Sequence, residues 1–175
     1  MRAVVVYESM YGNTHRVAEA VGEGLRGACK TDVVSVHEAP LTLMAEADLV
    51  VVGGPTHAHG MSDDSTRTAA AEAIAKPDNV LTLDPDAAGD GIREWIAALG
   101  TVHGRAAAFD TRVDMSALLS GRASKGIAKQ LAHHGFDLIA EPESFLVTKE
   151  THLEPDEVGR ARAWGERLAG LAHAG

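Results

Sequence analysis

Apolar residues alternate along this chain between two patterns. Short runs rich in Val, Leu or Ala occupy Arg2–Glu8, Asp32–Val36, Asp48–Gly53, Arg105–Asp110 and Asp137–Val147, the last broken near Pro142. Between them the apolar positions recur at helical spacing. Val17, Val21 and Leu25 share one face of Thr14–Gly27, and Ile127 and Leu131 share one face of Gly121–His134. Val158, Ala161, Gly165 and Leu168 do the same in Pro155–Ala172. Strands that are apolar throughout suit a sheet covered on both faces. Strand then helix, repeated about five times, predicts an α/β chain with a doubly wound parallel sheet, one domain over residues 1–175.

One interval breaks the rhythm. Gly54 to Gly104 is longer than a single crossover helix requires, so part of it, within residues 62–104, is expected to form a lid or exposed loop. Inside it, Ile92, Trp95, Ile96 and Leu99 make one apolar helical face, which reads Trp95 as a core residue.

In a doubly wound sheet, ligands collect beyond the carboxyl ends of the strands, where strand order reverses. Three junctions lie there: "ESMYGNT" after the first strand, "GGPTHAHGM" after the third and "DTRVDM" after the fourth. The first is chemically unusual. A helix N-terminus carries unpaired N–H groups and about half a positive charge, ordinarily offset by Asp or Glu in the first turn. Here that turn holds His15 and Arg16, with no acid before Glu19. Ser9, Asn13 and Thr14 supply hydroxyl and amide groups, and Gly12 permits a tight turn, so the junction suits an external phosphate. The plainer alternative is that Asn13 or Thr14 serves only as an N-cap.

Other nucleotide motifs are set aside by position. "GEGLRG" (Gly22–Gly27) has the dinucleotide-binding glycine spacing but lies at the end of the first helix instead of between strand and helix. No GxxxxGK[ST] string exists, and the end of the third strand carries Gly53 and Gly54 where a phosphoacceptor domain needs Asp. His57 and His59 could share a cation, but a structural metal site wants four ligands and no Cys or third His is near in sequence. The net charge of −9 disfavours nucleic acid and anionic membranes as partners and leaves room for a basic protein partner. No apolar run approaches the length of a membrane span, and the N-terminus has no secretory pattern, so a cytoplasmic location is expected.

Strand-"ESMYGNT"-helix, "VVGGPTHAHGM" and the order of elements resemble the flavodoxin-like superfamily of FMN proteins, over about Met1 to Leu171. The phosphate and Pro-Thr loops are more similar to its quinone-reductase branch than to the small electron carriers. The resemblance implies a flavodoxin-like three-layer α/β/α sandwich with a five-stranded sheet and FMN as cofactor. By it, Ser9, Met10, Tyr11, Gly12, Asn13 and Thr14 would hold the phosphate. Pro55, Thr56, His57 and Ala58 would line the ring, with Gly60 and Met61 close by, and Asp110, Thr111 and Arg112 would approach its pyrimidine edge. The chain departs from small flavodoxins in aromatic content, 4%, with none in "DTRVDM". Tyr11, His57, His59 and Trp95 are the available ring flanks.

His57 and Arg112 are the catalytic candidates on this reading. A guanidinium about 4 Å from the ring edge, at an effective dielectric near 20, would stabilise the anionic reduced ring by up to about 4 kcal/mol. That favours two-electron reduction; a surface pair with Asp110 or Asp114 is the alternative for Arg112. Three functions follow from the resemblance. One is an oxidoreductase passing electrons from NAD(P)H to a quinone-like acceptor, another a non-enzymatic electron carrier docking to a redox partner protein. The third is a flavodoxin-like module that has lost FMN and serves as an interaction domain.

Overall fold

The computed structural model describes residues 1–57, 60–75, 81–85, 87 and 89–174. Seven strands and seven helices follow in the order β1 (Arg2–Tyr7), α1 (Asn13–Arg26), β2 (Lys30–Ser35), α2 (Thr42–Ala45), β3 (Leu49–His57), β4 (Gly60–Met61) and α3 (Asp64–Ile74) among these residues. There follow α4 (Ile92–Ala97), β5 (Gly104–Val113), α5 (Ala117–Ser120), α6 (Ala123–His133), β6 (Phe136–Leu138), β7 (Glu143–Val147) and α7 (Glu157–Ala174).

The parallel sheet runs β2-β1-β3-β5-β6, so strand order reverses between β1 and β3, as the doubly wound reading expects. Its fifth position is shared. β6 pairs with the start of β5 and β7 with its end, Phe109 to Val113, which is the break foreseen near Pro142. β4 turns back antiparallel on β3, pairing Thr56 with Met61 and His57 with Gly60.

Both faces of the sheet are covered because both alternating sets of strand side chains are apolar. Ala3, Val5 and Tyr7 of β1 join Val51, Ala107 and Phe109 under α1 and α7. Val4 and Val6 join Val50, Val52, Ala106 and Ala108 under α4 and α6. Each such fully buried Val or Leu is worth roughly 1.5–3 kcal/mol relative to exposure.

Glycines set two of the closest approaches. A Cβ on Gly24 would lie 3.0 Å from Gly165 Cα, so these two residues bring α1 and α7 into backbone contact. The "GEGLRG" string is thereby explained by packing: Gly24 meets α7 and Gly22 meets Val33 of β2. A Cβ on Gly53 would collide with the Phe109 ring, which itself packs edge-on against Phe145 and Trp164 at 6.0 and 6.1 Å.

One expectation is corrected. Val158 is 40% exposed, while Ala161, Gly165 and Leu168 of the expected face are buried together with Trp164, Ala169 and Ala172. The long interval supplies β4, α3 and α4, and its 81–85 segment is a loop, exposed at Thr82 and Pro85, that lies against the β1–α1 loop, where Asp84 N–H donates to Met10 O at 2.8 Å. Trp95 is core, its Nε1 donating to Ala39 O at 3.0 Å, and so does not flank the candidate cleft.

Candidate functional site

The carboxyl ends of β1, β3 and β5 stop in register: Tyr7 lies beside Gly53, Gly53 beside Phe109, and Pro55 beside Thr111. The chain leaving each end turns over the same space. A cleft of about 560 Å³, partly open to solvent, is lined there by Met10, Tyr11, Asn13, Thr14, Pro55, Thr56, His57, Thr111 and Arg112, all named from the sequence. Val113, Val147 and Thr151 complete the wall and were not foreseen.

The β1–α1 turn has the features of an anion cradle. Gly12, the N-cap of α1, adopts φ +84°, a left-handed conformation glycine enters without penalty. Its N–H donates to Ser9 Oγ at 3.1 Å, so the buried Ser9 hydroxyl braces the turn from beneath. The helix has no side-chain cap bond and no acid in its first turn. The N-cap alternative for Asn13 and Thr14 is thereby excluded: Asn13 Nδ2 donates to Thr151 O at 2.8 Å, and Thr14 Oγ1 bonds Thr111 Oγ1 at 2.7 Å. Thr151 itself holds φ +67°, a costly conformation for a β-branched residue.

His15 is more constrained than its position in the motif suggests. Its ring stacks on Tyr7 at 4.5 Å and 19°, and Nδ1 lies 3.3 Å from Asp84 Oδ2. The first turn thus does meet an acid, delivered from 69 residues away along the chain.

Beneath the turn, Glu8 is buried and had not been singled out. Its carboxylate accepts from the Ser62 hydroxyl and from Ile92 N–H, the latter at 2.8 Å. Arg67, 8% exposed, donates to Ser62 Oγ at 3.2 Å and pairs with Glu94 at 3.1 Å. This network ties α3 and α4 to the loop after β1. The only local signal was an acid heading the Ser-Met-Tyr-Gly-Asn-Thr loop.

On the second wall, His57 projects from the end of β3. Burial pushes its imidazole below the usual histidine range, against the pull of Glu8 and Asp63, and Arg67 pushes the same way as burial. Its Nε2 is buried and finds no hydrogen-bond partner among the described residues. Ala58 and His59 lie outside the described residues. Gly60 and Met61 form β4 beside the cleft and not in its lining, Met61 packing toward Gly126 of α6.

On the third wall, Arg112 Nη1 donates to Met115 O at 2.7 Å, to Val113 O at 3.3 Å and to Ser120 Oγ at 3.3 Å, while its Nε is buried without a partner among the described residues. No ion pair joins it to Asp110 or Asp114 among the described residues. Asp110 is fully buried and not in the cleft lining: its Oδ2 accepts from Ser124 N–H at 2.7 Å, its Oδ1 finds no partner among the described residues, and Thr56 Oγ1 accepts from Ala123 N–H at 2.9 Å. These two acceptors cap α6, whose own N-cap residue makes no side-chain cap bond.

The described residues contain no cluster of three or more His, Cys, Asp or Glu able to hold a metal ion, and no helix among them is long and apolar enough to cross a membrane.

Comparison with known proteins agrees with this geometry. The flavodoxin family model matches residues 5–164. Among solved structures, an archaeal flavodoxin superposes with a TM-score of 0.68 at 22% identity, covering 99% of each chain. Flavodoxin 1 from Bacillus cereus gives 0.67 at 17% identity, over 97% of this chain and 98% of that one. A WrbA-like flavodoxin from Agrobacterium tumefaciens gives 0.57 at 21% identity, over 99% and 98%. With the sheet order, the glycine-turned loop and a match spanning most of its length, the chain belongs to the flavodoxin family of FMN-binding electron-transfer proteins.

Proposed function

We propose that this chain is an electron carrier that holds FMN in the cleft at the β1/β3 switch point and exchanges electrons with a protein partner docked over the β5–α6 connection. The residues fit the cofactor. Gly12 at positive φ and a first turn of α1 with no acid of its own suit a phosphate, and Ser9, Met10, Tyr11, Gly12, Asn13 and Thr14 would hold it. His57 Nε2 and Arg112 Nε, buried and without a partner among the described residues on opposite walls, suit a ring bearing both donors and acceptors. Pro55, Thr56 and His57 would line that ring on one side and Thr111 and Arg112 on the other. FMN, when bound, supplies a ring that takes up and releases electrons singly or in pairs. The chain's own part is to seat the ring, shield one edge from water and hold His57 neutral beside it.

The observation that carries the choice of a protein partner is the surface next to Arg112. Leu118 is 93% exposed, Leu119 67% and Met115 39%, on the segment that follows the cleft wall at Val113. Exposed leucines at the mouth of a cofactor cleft, on a chain of net charge −9, suit a partner with an apolar contact ringed by basic residues.

Arg112 favours a second reading. A cation fixed beside the cleft by three loop acceptors would stabilise negative charge on the ring and so favour paired electron transfer from NAD(P)H to a quinone-like acceptor. Steady-state NAD(P)H oxidation by the purified FMN-loaded protein with a quinone separates the two. A carrier turns over almost no NAD(P)H unless a partner reductase is added; turnover by the chain alone overturns the carrier reading.

A further inference from the structure

The β1–α1 turn does not present the helix charge alone. Asp84 comes from the long interval and is anchored by its own N–H on Met10 O at 2.8 Å. Its side chain is 2% exposed, and Oδ2 lies 3.3 Å from His15 Nδ1 and 3.8 Å from where a Cβ on Gly12 would stand. The carboxylate therefore sits beside the first turn of α1, whose N-cap residue is a glycine without a side chain to cap it. His15, which faces it, is held flat against Tyr7 and is 39% exposed in its side chain. A phosphate entering the turn would meet two opposed fields: the positive helix end, and a buried negative charge fixed behind Gly12. Riboflavin, which carries the same ring and no phosphate, would meet neither.

We propose that Asp84 sets the chain's preference between phosphorylated and unphosphorylated flavin, holding FMN affinity below what the α1 cradle would otherwise give, with His15 partly offsetting it. The proposal rests on the FMN reading of the cleft. Asp84 is a tuning residue: it reaches the phosphate through charge and not through a hydrogen bond. A buried carboxylate this close to a dianion's seat leaves FMN exchangeable, while the Asp84–Met10 strap keeps the turn in shape.

The test is calorimetric titration of the flavin-free full chain with FMN and, separately, with riboflavin, for the unmodified protein, Asp84→Asn and His15→Gln. Asp84→Asn keeps the side-chain shape and removes the charge. The expected result is about tenfold tighter FMN binding, equivalent to about 1.4 kcal/mol, with riboflavin unchanged within about twofold. His15→Gln leaves Asp84 less compensated, so FMN binding weakens several-fold and riboflavin again does not move. An unchanged FMN-to-riboflavin ratio in either variant, including a parallel shift of both flavins, overturns the proposal. If Asp84→Asn fails to fold, the ratio in His15→Gln decides alone. Uptake of neither flavin by any of the three proteins overturns the cofactor reading and this inference with it, whereas FMN uptake at a fixed ratio overturns this inference only.

Discussion

The hydroxyl oxygens of Thr14 and Thr111 lie 2.7 Å apart in the interior and join the first turn of α1 to the end of β5. One residue belongs to the proposed phosphate cradle and the other to the proposed ring wall, so this bond sets the spacing between them. Replacing Thr111 by the isosteric Val leaves the Thr14 hydroxyl buried and unpaired, a cost of about 1–3 kcal/mol. Replacing both by Val removes the orphan as well. In denaturant unfolding the double variant is expected to lose less stability than the sum of the singles; simple additivity would show that the two hydroxyls act independently.

Gly12 carries the turn on its backbone alone. A methyl there would stand 3.8 Å from Asp84 Oδ2, an ordinary contact, so the cost of Gly12→Ala is conformational. The left-handed conformation costs an L-residue about 1–2 kcal/mol. Gly12→Ala is expected to lose that much stability and to weaken FMN binding more than riboflavin binding, measured by quenching of flavin fluorescence. Equal losses for the two flavins would place Gly12 outside the phosphate cradle.

His57 gives the protein an acid-side weakness. Burial depresses its native pKa, so the unfolded chain, titrating near 6.5, binds a proton that the native state resists. Between these two values the unfolded state holds more protons, and stability rises with pH. Its neutral, buried state is therefore fully tolerated above about pH 6.5 and becomes a liability as the medium acidifies. His57→Gln is expected to flatten the fall in Tm from about pH 7 to about pH 5. Parallel Tm curves for the two proteins would show that His57 titrates alike in both states.

Arg112 is the lever on the cofactor's potential. If its guanidinium acts on the ring, Arg112→Ala lowers the two-electron midpoint potential, by up to roughly 90 mV if a charge near 4 Å acts through an effective dielectric of about 20. Spectroelectrochemistry of the FMN-loaded variant reads this directly. An unchanged midpoint would confine Arg112 to bracing the loop through Val113, Met115 and Ser120.

Leu118 and Leu119 contribute little to the fold, since α5 buries none of its residues. Leu118→Ser with Leu119→Ser is expected to leave Tm and midpoint potential unchanged while slowing reduction by a flavoprotein reductase, with about a tenfold loss in stopped-flow rate for a lost 1.4 kcal/mol of docking energy. An unaltered rate would move the docking surface elsewhere.

Local pattern alone determined the main parallel strands, the helices α1, α6 and α7, the two-faced sheet and the three loops that meet at the cleft, but not the short elements α2, β4 and α5 or the helix α3. These follow from signals a few residues long: unbroken Val-rich runs, apolar positions three and four apart, and a Ser, Gly, Asn and Thr loop where a strand meets a helix. Nine of the cleft-lining residues were legible for the same reason, because strand ends in register bring loops together without further information. What only the tertiary structure decided are the pairings between distant residues that no period encodes. Asp84 is carried onto His15 across 69 positions, Glu8 reaches Ile92 across 84, and Asp110 gives one carboxylate oxygen to the N-terminus of α6. The close Gly24–Gly165 approach of α1 and α7 is likewise a tertiary fact: the stripe's Ala161, Gly165 and Leu168 are buried as its period implies, but Val158 is left 40% exposed. A buried polar or charged group must find a partner wherever the fold supplies one, and the position of that partner is fixed by packing, which the local sequence does not record.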